Sequence, residues 1–226
     1  MPADAEFDAT SAKRPGRIVL EGRYVTLAPL DAGLHSQALW EATRGEHNDS
    51  LWQYLAEGPF RDRADFDKTF EGMAASEDPL FFAIIDRASE RAAGRASYLR
   101  IDTKHRSIEV GGLLYSPALQ RTRGATEAMY LMARHAFEDL GYRRYEWKCN
   151  ALNEPSRRAA LRLGFTFEGI FRQHQIVKGQ NRDTAWFSML DTEWPQRKKA
   201  FEHWLDPSNF SDEGVQKQRL SDLITT

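Results

Sequence analysis

Two stretches of the chain carry residues whose types and spacing could do chemistry. The first is Gln120-Arg121-Thr122-Arg123-Gly124-Ala125, a basic loop holding one glycine, with a strand-like run before it and the strongest helical pattern after it. A helix start offers unpaired backbone N–H groups and a partial positive charge. A loop that feeds one can therefore seat a phosphate or pyrophosphate, although a plain turn has the same composition. Thr126 follows within the first helical turn. The second stretch is Asn153-Glu-Pro-Ser156. It reads as a helix start in which Asn153 caps and Pro155 occupies the first turn, leaving Ser156 to present a hydroxyl.

Inside the strand-like run that precedes the basic loop, Ser107 to Tyr115, lies Gly111-Gly112. Glycine inside a strand weakens it and marks a bulge or a close backbone approach. A bulge here would splay the strand from its neighbour and expose the ladder groups of Leu113, Leu114 and Tyr115. Glu109, two residues upstream, reads on its own as a solvent-facing strand residue. His47, Trp52 and Tyr54 lie in an aromatic, turn-rich segment from His47 to Phe60 that could wall a pocket or pack into the core.

These residues need a scaffold, and hydrophobic periodicity supplies one. Alternation predicts strands over 24–30, 80–86, 94–101, 107–115 and 142–149, and two more over 165–177 and 184–190 joined by a hairpin turn at Lys178 to Asn181. Spacing of three and four predicts helices over 32–43, capped by Asp31, over 62–75, from Ala125 to Leu140 with Gly141 as the stop, and over 153–163. The result is one mixed α/β domain, antiparallel early and with a β-α-β crossover late. Residues 1–16 read as a flexible leader, 17–194 as the folded domain and 195–226 as a helical extension. Phe201, Trp204 and Leu205 of that extension are candidates for self-association into a homodimer.

Composition removes several classes. The chain has 226 residues, with 31 basic and 33 acidic side chains giving a formal charge of −2. That balance does not suit a nucleic-acid coat, so any anion must be held locally. A single cysteine, Cys149, leaves no intramolecular disulfide, and the six histidines show no metal-ligand spacing. No apolar run is long enough for a membrane span. A cytoplasmic protein without metal, membrane or nucleic-acid partners is the expectation.

Taken together, Leu140-Gly-Tyr-Arg-Arg, Asn153-Glu-Pro-Ser156, Leu161-Arg-Leu-Gly-Phe165-Thr-Phe-Glu-Gly169 and Gly179-Gln-Asn-Arg-Asp183 resemble the GNAT superfamily of N-acetyltransferases, most closely its RimJ/RimL-type branch, from about Arg17 to Trp194. The basic loop is similar to that family's Gln/Arg-x-x-Gly-x-Gly/Ala motif: read from Gln120 it has Arg123 where the first glycine belongs, read from Arg121 it ends in Thr126, and Ala125-Thr-Glu-Ala128, similar to the family's helix start, favours the first register. The resemblance implies an α/β GNAT fold: a mostly antiparallel mixed sheet flanked by helices, whose two central strands part in a V.

It implies acetyl-CoA as co-substrate, with residues 120–126 around its pyrophosphate and Leu113, Leu114, Tyr115 and Asn153 along its pantetheine arm. It implies transfer to a primary amine of a protein N-terminus or a small molecule by direct attack in a ternary complex. Such a reaction needs a base for the amine and a hydrogen-bond donor for the leaving thiolate. Glu109 holds the family's carboxylate position and Ser156 its serine position. His47, Trp52 and Tyr54 are then acceptor-pocket candidates. A non-catalytic acyl-CoA-binding sensor or regulatory domain stays open as a second reading.

Overall fold

The computed structural model describes residues 10–225. Eight strands form one sheet in the order β1-β2-β3-β4-β5-β6-β8-β7. They are β1 (Leu20–Glu21), β2 (Val25–Pro29), β3 (Leu80–Asp86), β4 (Arg91–Asp102), β5 (Ser107–Tyr115), β6 (Arg144–Asn150), β7 (Thr166–Val177) and β8 (Gln180–Leu190). Every pairing is antiparallel except β5 with β6, which are joined through the crossover helix α3 (Arg123–Arg134). The remaining helices are α1 (Ala32–Thr43), α2 (Arg63–Ala75), α4 (Glu154–Arg162), α5 (Trp194–Leu205) and α6 (Leu220–Thr225). None is long and apolar enough to cross a membrane among the described residues.

Both faces of the sheet are covered at β3, which explains why it reads as a nearly continuous apolar run. Alternation sends its residues in opposite directions. Phe82 and Ile84 join the core under α3 and the C-terminal helices, whereas Phe81 and Ala83 join the core under α1 and α2. Asp31 caps α1 by accepting from the Leu34 amide at 2.9 Å, and Asp62 does the same for α2.

Several boundaries differ from the sequence expectation for local reasons. The helix expected to reach Leu140 keeps α-geometry to Arg134 and then widens into a π turn over His135–Asp139, before Gly141 ends it at φ 77°. The β7–β8 turn needs only Lys178 and Gly179, with φ values of 49° and 73°, so Val177 pairs with Gln180 and β8 starts four residues early. Of the leader expected over 1–16, residues 1–9 lie outside the described part. The rest is seated: Ala12 is buried and its amide donates to Thr103 O at 3.0 Å, and Lys13 N donates to Leu140 O at 2.9 Å.

The C-terminal extension is a layer of the same core. Phe201, Trp204 and Leu205 are buried together with Trp194, Phe210, Leu220 and Ile224. Tyr130 Oη donates to Glu202 Oε1 at 2.9 Å, and Tyr24 Oη to Leu205 O at 3.1 Å. The expectation that these three apolar residues serve self-association is corrected: their apolar faces are spent on the chain's own helices.

Candidate active site

The β4–β5 ladder carries two bulges. On β5, Gly112 and Leu113 oppose Ala96 alone, since Arg95 pairs with Leu114 and Ser97 with Gly111. Gly112 has φ 59°, a region that costs other L-residues about 1–2 kcal/mol. This is the irregularity that Gly111-Gly112 leads one to expect. Arg95, fully buried below it, donates from Nη1 to Gly112 O at 2.6 Å, pairs with Glu57 and packs against the rings of Phe81 and Phe70. On β4, Arg100 and Ile101 oppose Ile108 alone, and Arg100 has φ 50°. Asp78 secures this second bulge by accepting from the amides of Arg100 at 3.0 Å and Ile101 at 3.1 Å.

Beyond the bulges the central strands part. The parallel pairing of β5 with β6 runs from Ser107↔Arg144 to Val110↔Trp147 and stops, although β5 continues to Tyr115 and β6 to Asn150. A cleft of about 1420 Å³ occupies and flanks the split. Its lining includes Glu109, Leu113, Tyr115, Gln120 to Arg123, Ala125, Thr126, Asn153 and Ser156. That volume exceeds the roughly 300–1,000 Å³ of an ordinary ligand pocket and suits two substrates rather than one.

Glu109 sits at the apex of the split. It is buried rather than solvent-facing, with its side chain 5% exposed, and Oε2 takes Arg100 Nη1 at 2.7 Å and Lys148 Nζ at 3.0 Å. Lys148 also reaches Glu146 Oε2 at 2.6 Å and lies 3.7 Å from the centre of the Trp186 ring. Arg144 closes the chain of charges, touching Glu146 Oε1 at 2.7 Å and forking onto Glu168. Burial would raise the Glu146 carboxyl, but hydrogen bonds from Lys148 and Arg144 outweigh it and hold it below the usual carboxylate range.

Ser156 comes from the other face of the sheet. Trp147 Nε1 donates to Ser156 Oγ at 3.0 Å. An indole nitrogen can only donate, so the serine accepts there and keeps its own proton for another partner. Asn153 caps α4 by accepting from the Ser156 amide at 3.2 Å. Cys149, one strand step from this pair, is buried, and burial pushes its thiol up against an opposing hydrogen bond from Ser156.

The basic loop enters α3 through Thr122, whose Oγ1 accepts from the Ala125 amide at 3.1 Å. The first helical amides, Arg123 and Gly124, receive no capping side chain. Arg121 takes the left-handed conformation at φ 60°, and Gln120 Nε2 donates to Tyr115 O at 3.1 Å. Gly124 is helical and faces away from the large cleft; a Cβ there would lie 2.7 Å from Val25 Cγ1, so close packing of α3 on β2 accounts for this glycine. Arg123 is sandwiched between the Tyr24 and Phe210 rings, 4.8 Å from each. Glu127 anchors the helix further along, accepting the amides of Arg23, Tyr24 and Val25.

Not every residue singled out in the sequence reaches the cleft. Leu114 points into the α1–α2 core. Trp52 is buried in the same core, edge-on to Phe60 at 5.2 Å. His47 lies beneath Gly45 and meets Asn48 Nδ2 at 3.2 Å. Tyr54 does line the cleft, and its hydroxyl donates to Leu152 O at 3.1 Å across the mouth. Sequence reasoning passed over Arg100, Lys148, Glu146, His174 and Arg182. Lys148 and Glu146 alternate with apolar residues as solvent-facing positions do; the available signal was their place on a strand following a crossover helix, which pairs in parallel in mid-sheet.

Known proteins share this fold. The chain is 47% identical to the protein in the crystal structure of a GCN5-related N-acetyltransferase from Brucella melitensis, with a TM-score of 0.95 over 97% of this chain and 99% of that one. It is 27% identical over 123 residues to the uncharacterized N-acetyltransferase YoaA of Bacillus subtilis (strain 168), covering 54% of this chain and 69% of that protein. It is also 30% identical over 105 residues to the putative ribosomal N-acetyltransferase YdaF of the same organism, covering 46% of this chain and 57% of that protein. The profile of the acetyltransferase (GNAT) domain matches residues 25–166. With that match, the eight-stranded sheet and its central split, the chain belongs to the GNAT acetyltransferases and is an acetyl-CoA-dependent acyltransferase.

Proposed function

We propose that the chain transfers an acetyl group to a primary amine, of a protein N-terminus or a small molecule, by direct attack in a ternary complex. Acetyl-CoA supplies the acetyl thioester. The residues present fit it: a split wide enough for an arm, a β5 edge from Gly111 to Tyr115 without a strand partner on that side, and a basic helix start at the far end. Residues 120–126 would hold the diphosphate through the Arg123 and Gly124 amides and the Arg121 side chain. Leu113, Leu114, Tyr115 and Asn153 would hold the pantetheine amides.

Glu109 accepts the amine's proton through water, with Arg100 and Lys148 fixing its carboxylate. An α-amino group titrates near 7.7–8.0, so only part of the population needs this help at neutral pH. Ser156 gives a hydrogen bond to the departing sulfur. The observation that carries this reading is the Trp147 contact, because it holds the Ser156 hydroxyl at the edge of the split across from Glu109 as an acceptor only toward the indole, so that its proton, which faces the Cys149 thiol, can turn to the departing sulfur. Similarity to the putative ribosomal enzyme YdaF and the four motifs around Asn153 and Phe165 support membership of the RimJ/RimL-type branch. We assign the enzyme to the cytoplasm, in keeping with its lone, buried cysteine.

Glu109→Gln tests it. With an amine panel and free-thiol release as readout, turnover falls about 100-fold while calorimetric affinity for coenzyme A persists. Undiminished turnover refutes the role of Glu109. A wild-type protein that binds the coenzyme but acetylates nothing in the panel points to the sensor reading.

A further inference from the structure

The wall beyond Glu109 contains a cation that the chain itself does not satisfy. Arg182, on β8 beside the hairpin turn, is half-buried and lines the cleft. Among the described residues no carboxylate stands within salt-bridge distance of its guanidinium, and its Nε is buried without a hydrogen-bond partner. The acids of this wall are already engaged: Glu109 by Arg100 and Lys148, and Glu146 by Lys148 and Arg144. A buried N–H without a partner is costly, and the planar fork of a guanidinium matches a carboxylate with two parallel hydrogen bonds.

The surroundings carry the same sign. Burial first, and then the charges of Arg100, Arg182 and Lys148, hold the His174 imidazole below its ordinary value. His174 meets Thr184 Oγ1 at 2.9 Å on the same wall. The Glu109 and Arg100 charges are in turn felt at Arg182, where burial is the largest influence. Arg182, His174 and Glu109 line the same cleft, so the cation faces the space that holds the amine.

We propose that the acceptor is a small amine that also carries a carboxylate, of the amino-acid class, and that Arg182 receives this carboxylate while the amine faces Glu109. The inference rests on the acetyl-transfer reading above and narrows its acceptor. The coenzyme's own anions belong at the α3 end of the cleft, so Arg182 selects the acceptor and leaves coenzyme affinity to the basic loop.

The test uses matched pairs, each an amino acid and its carboxamide, with the full-length protein. The expected wild-type result is a kcat/KM at least about tenfold higher for the carboxylate member, the factor that 1.4 kcal/mol supplies. In Arg182→Gln the ratio falls toward one, and Arg182→Lys, which keeps the charge on the same strand, restores part of it. Calorimetric titration of both members into protein loaded with coenzyme A gives the same comparison without turnover. A protein that binds the carboxylate member selectively yet acetylates neither would sink the acetyl-transfer reading and keep only Arg182 as a carboxylate site. Equal binding of both members, binding of neither, a ratio unchanged in Arg182→Gln, or a loss of coenzyme A affinity in that variant overturns the proposal.

Discussion

Replacing Gly112 with alanine tests whether the β5 bulge is what holds the split open. Its backbone sits at φ 59°, and an added Cβ would lie 2.8 Å from Ser97 Oγ, 3.1 Å from Phe81 Cε1 and 3.3 Å from Arg95 Nη1. None of these is a free end. Ser97 Oγ donates to Gly111 O at 3.0 Å, Phe81 is in the core, and Arg95 Nη1 holds Gly112 O. Gly141 is the internal control, with φ 77° and nothing within 4 Å of its Cβ position. At both sites the left-handed backbone costs alanine about 1–2 kcal/mol, partly offset by about 0.4–1 kcal/mol from a stiffer unfolded chain. Only Gly112 adds overpacking, about 1–3 kcal/mol. Urea unfolding at constant slope should place Gly112→Ala below Gly141→Ala by that last amount. Calorimetry should show weaker coenzyme A binding for Gly112→Ala alone. Equal stability of the two variants would refute the steric argument, and unchanged coenzyme affinity would separate the bulge from the binding split.

Three further outcomes follow from the same geometry. Ser156→Ala should lower kcat about 100-fold with coenzyme A affinity held within a few-fold, and should cost about 1 kcal/mol in urea because the Trp147 indole loses its acceptor; an unaltered kcat removes Ser156 from the reaction. Cys149, its thiol pushed up by burial, should stay unreactive toward a disulfide reagent in the folded protein and titrate as one thiol in urea; a rapid native reaction contradicts its burial. His35 accepts the Asp31 amide on Nδ1 at 3.0 Å, and burial lowers its pKa despite the Asp31 charge. The unfolded chain therefore binds a proton that the folded chain does not, over the window from about 6.5 down to the lowered folded value. Stability conferred by His35 is then complete above that window and declines as pH falls through it, so the urea stability difference between wild type and His35→Gln should shrink from pH 7.5 to pH 5.5. A constant difference counts against the assignment.

Elements, caps and the hairpin were legible because each depends on neighbours in sequence. Asp31 caps α1 from three residues away, and Gly112 marks its own bulge. What sequence left hidden depends on distant partners. Arg100 owes its left-handed backbone to Asp78, 22 residues earlier, and nothing in an arginine announces that conformation. Lys148 sits on a strand whose alternation mimics a solvated face, yet its side chain is only 3% exposed because Glu109 and the Trp186 ring of the neighbouring strands, with Glu146 of its own, enclose it. The same ambiguity affects the tail. Phe201, Trp204 and Leu205 show an apolar face, and periodicity alone does not distinguish a partner's surface from the chain's own core.

The two bulges on one strand pair suggest how the site keeps its shape without a ligand. Each bulge adds one residue, on β5 at Gly112 and on β4 at Arg100, so their register offsets cancel across the ladder and pairing resumes on either side. Between them lie Leu99 and Glu109, still paired, at the point where β5 stops following β6. One bulge lies just beyond the last β5–β6 pair, where the split begins; at the other, Arg100 reaches the carboxylate at its apex. The first is held by Arg95 of β4, which is tied in turn to Glu57 of the 46–60 segment, and the second by Asp78 from the β3 entry. Because Lys178 also donates to the Trp52 and Glu57 carbonyls, the hairpin that carries Arg182 is tied to the segment that braces the first bulge. Substitutions at Glu57 or Lys178, though remote from the thioester path, should therefore disturb acceptor KM and coenzyme affinity together.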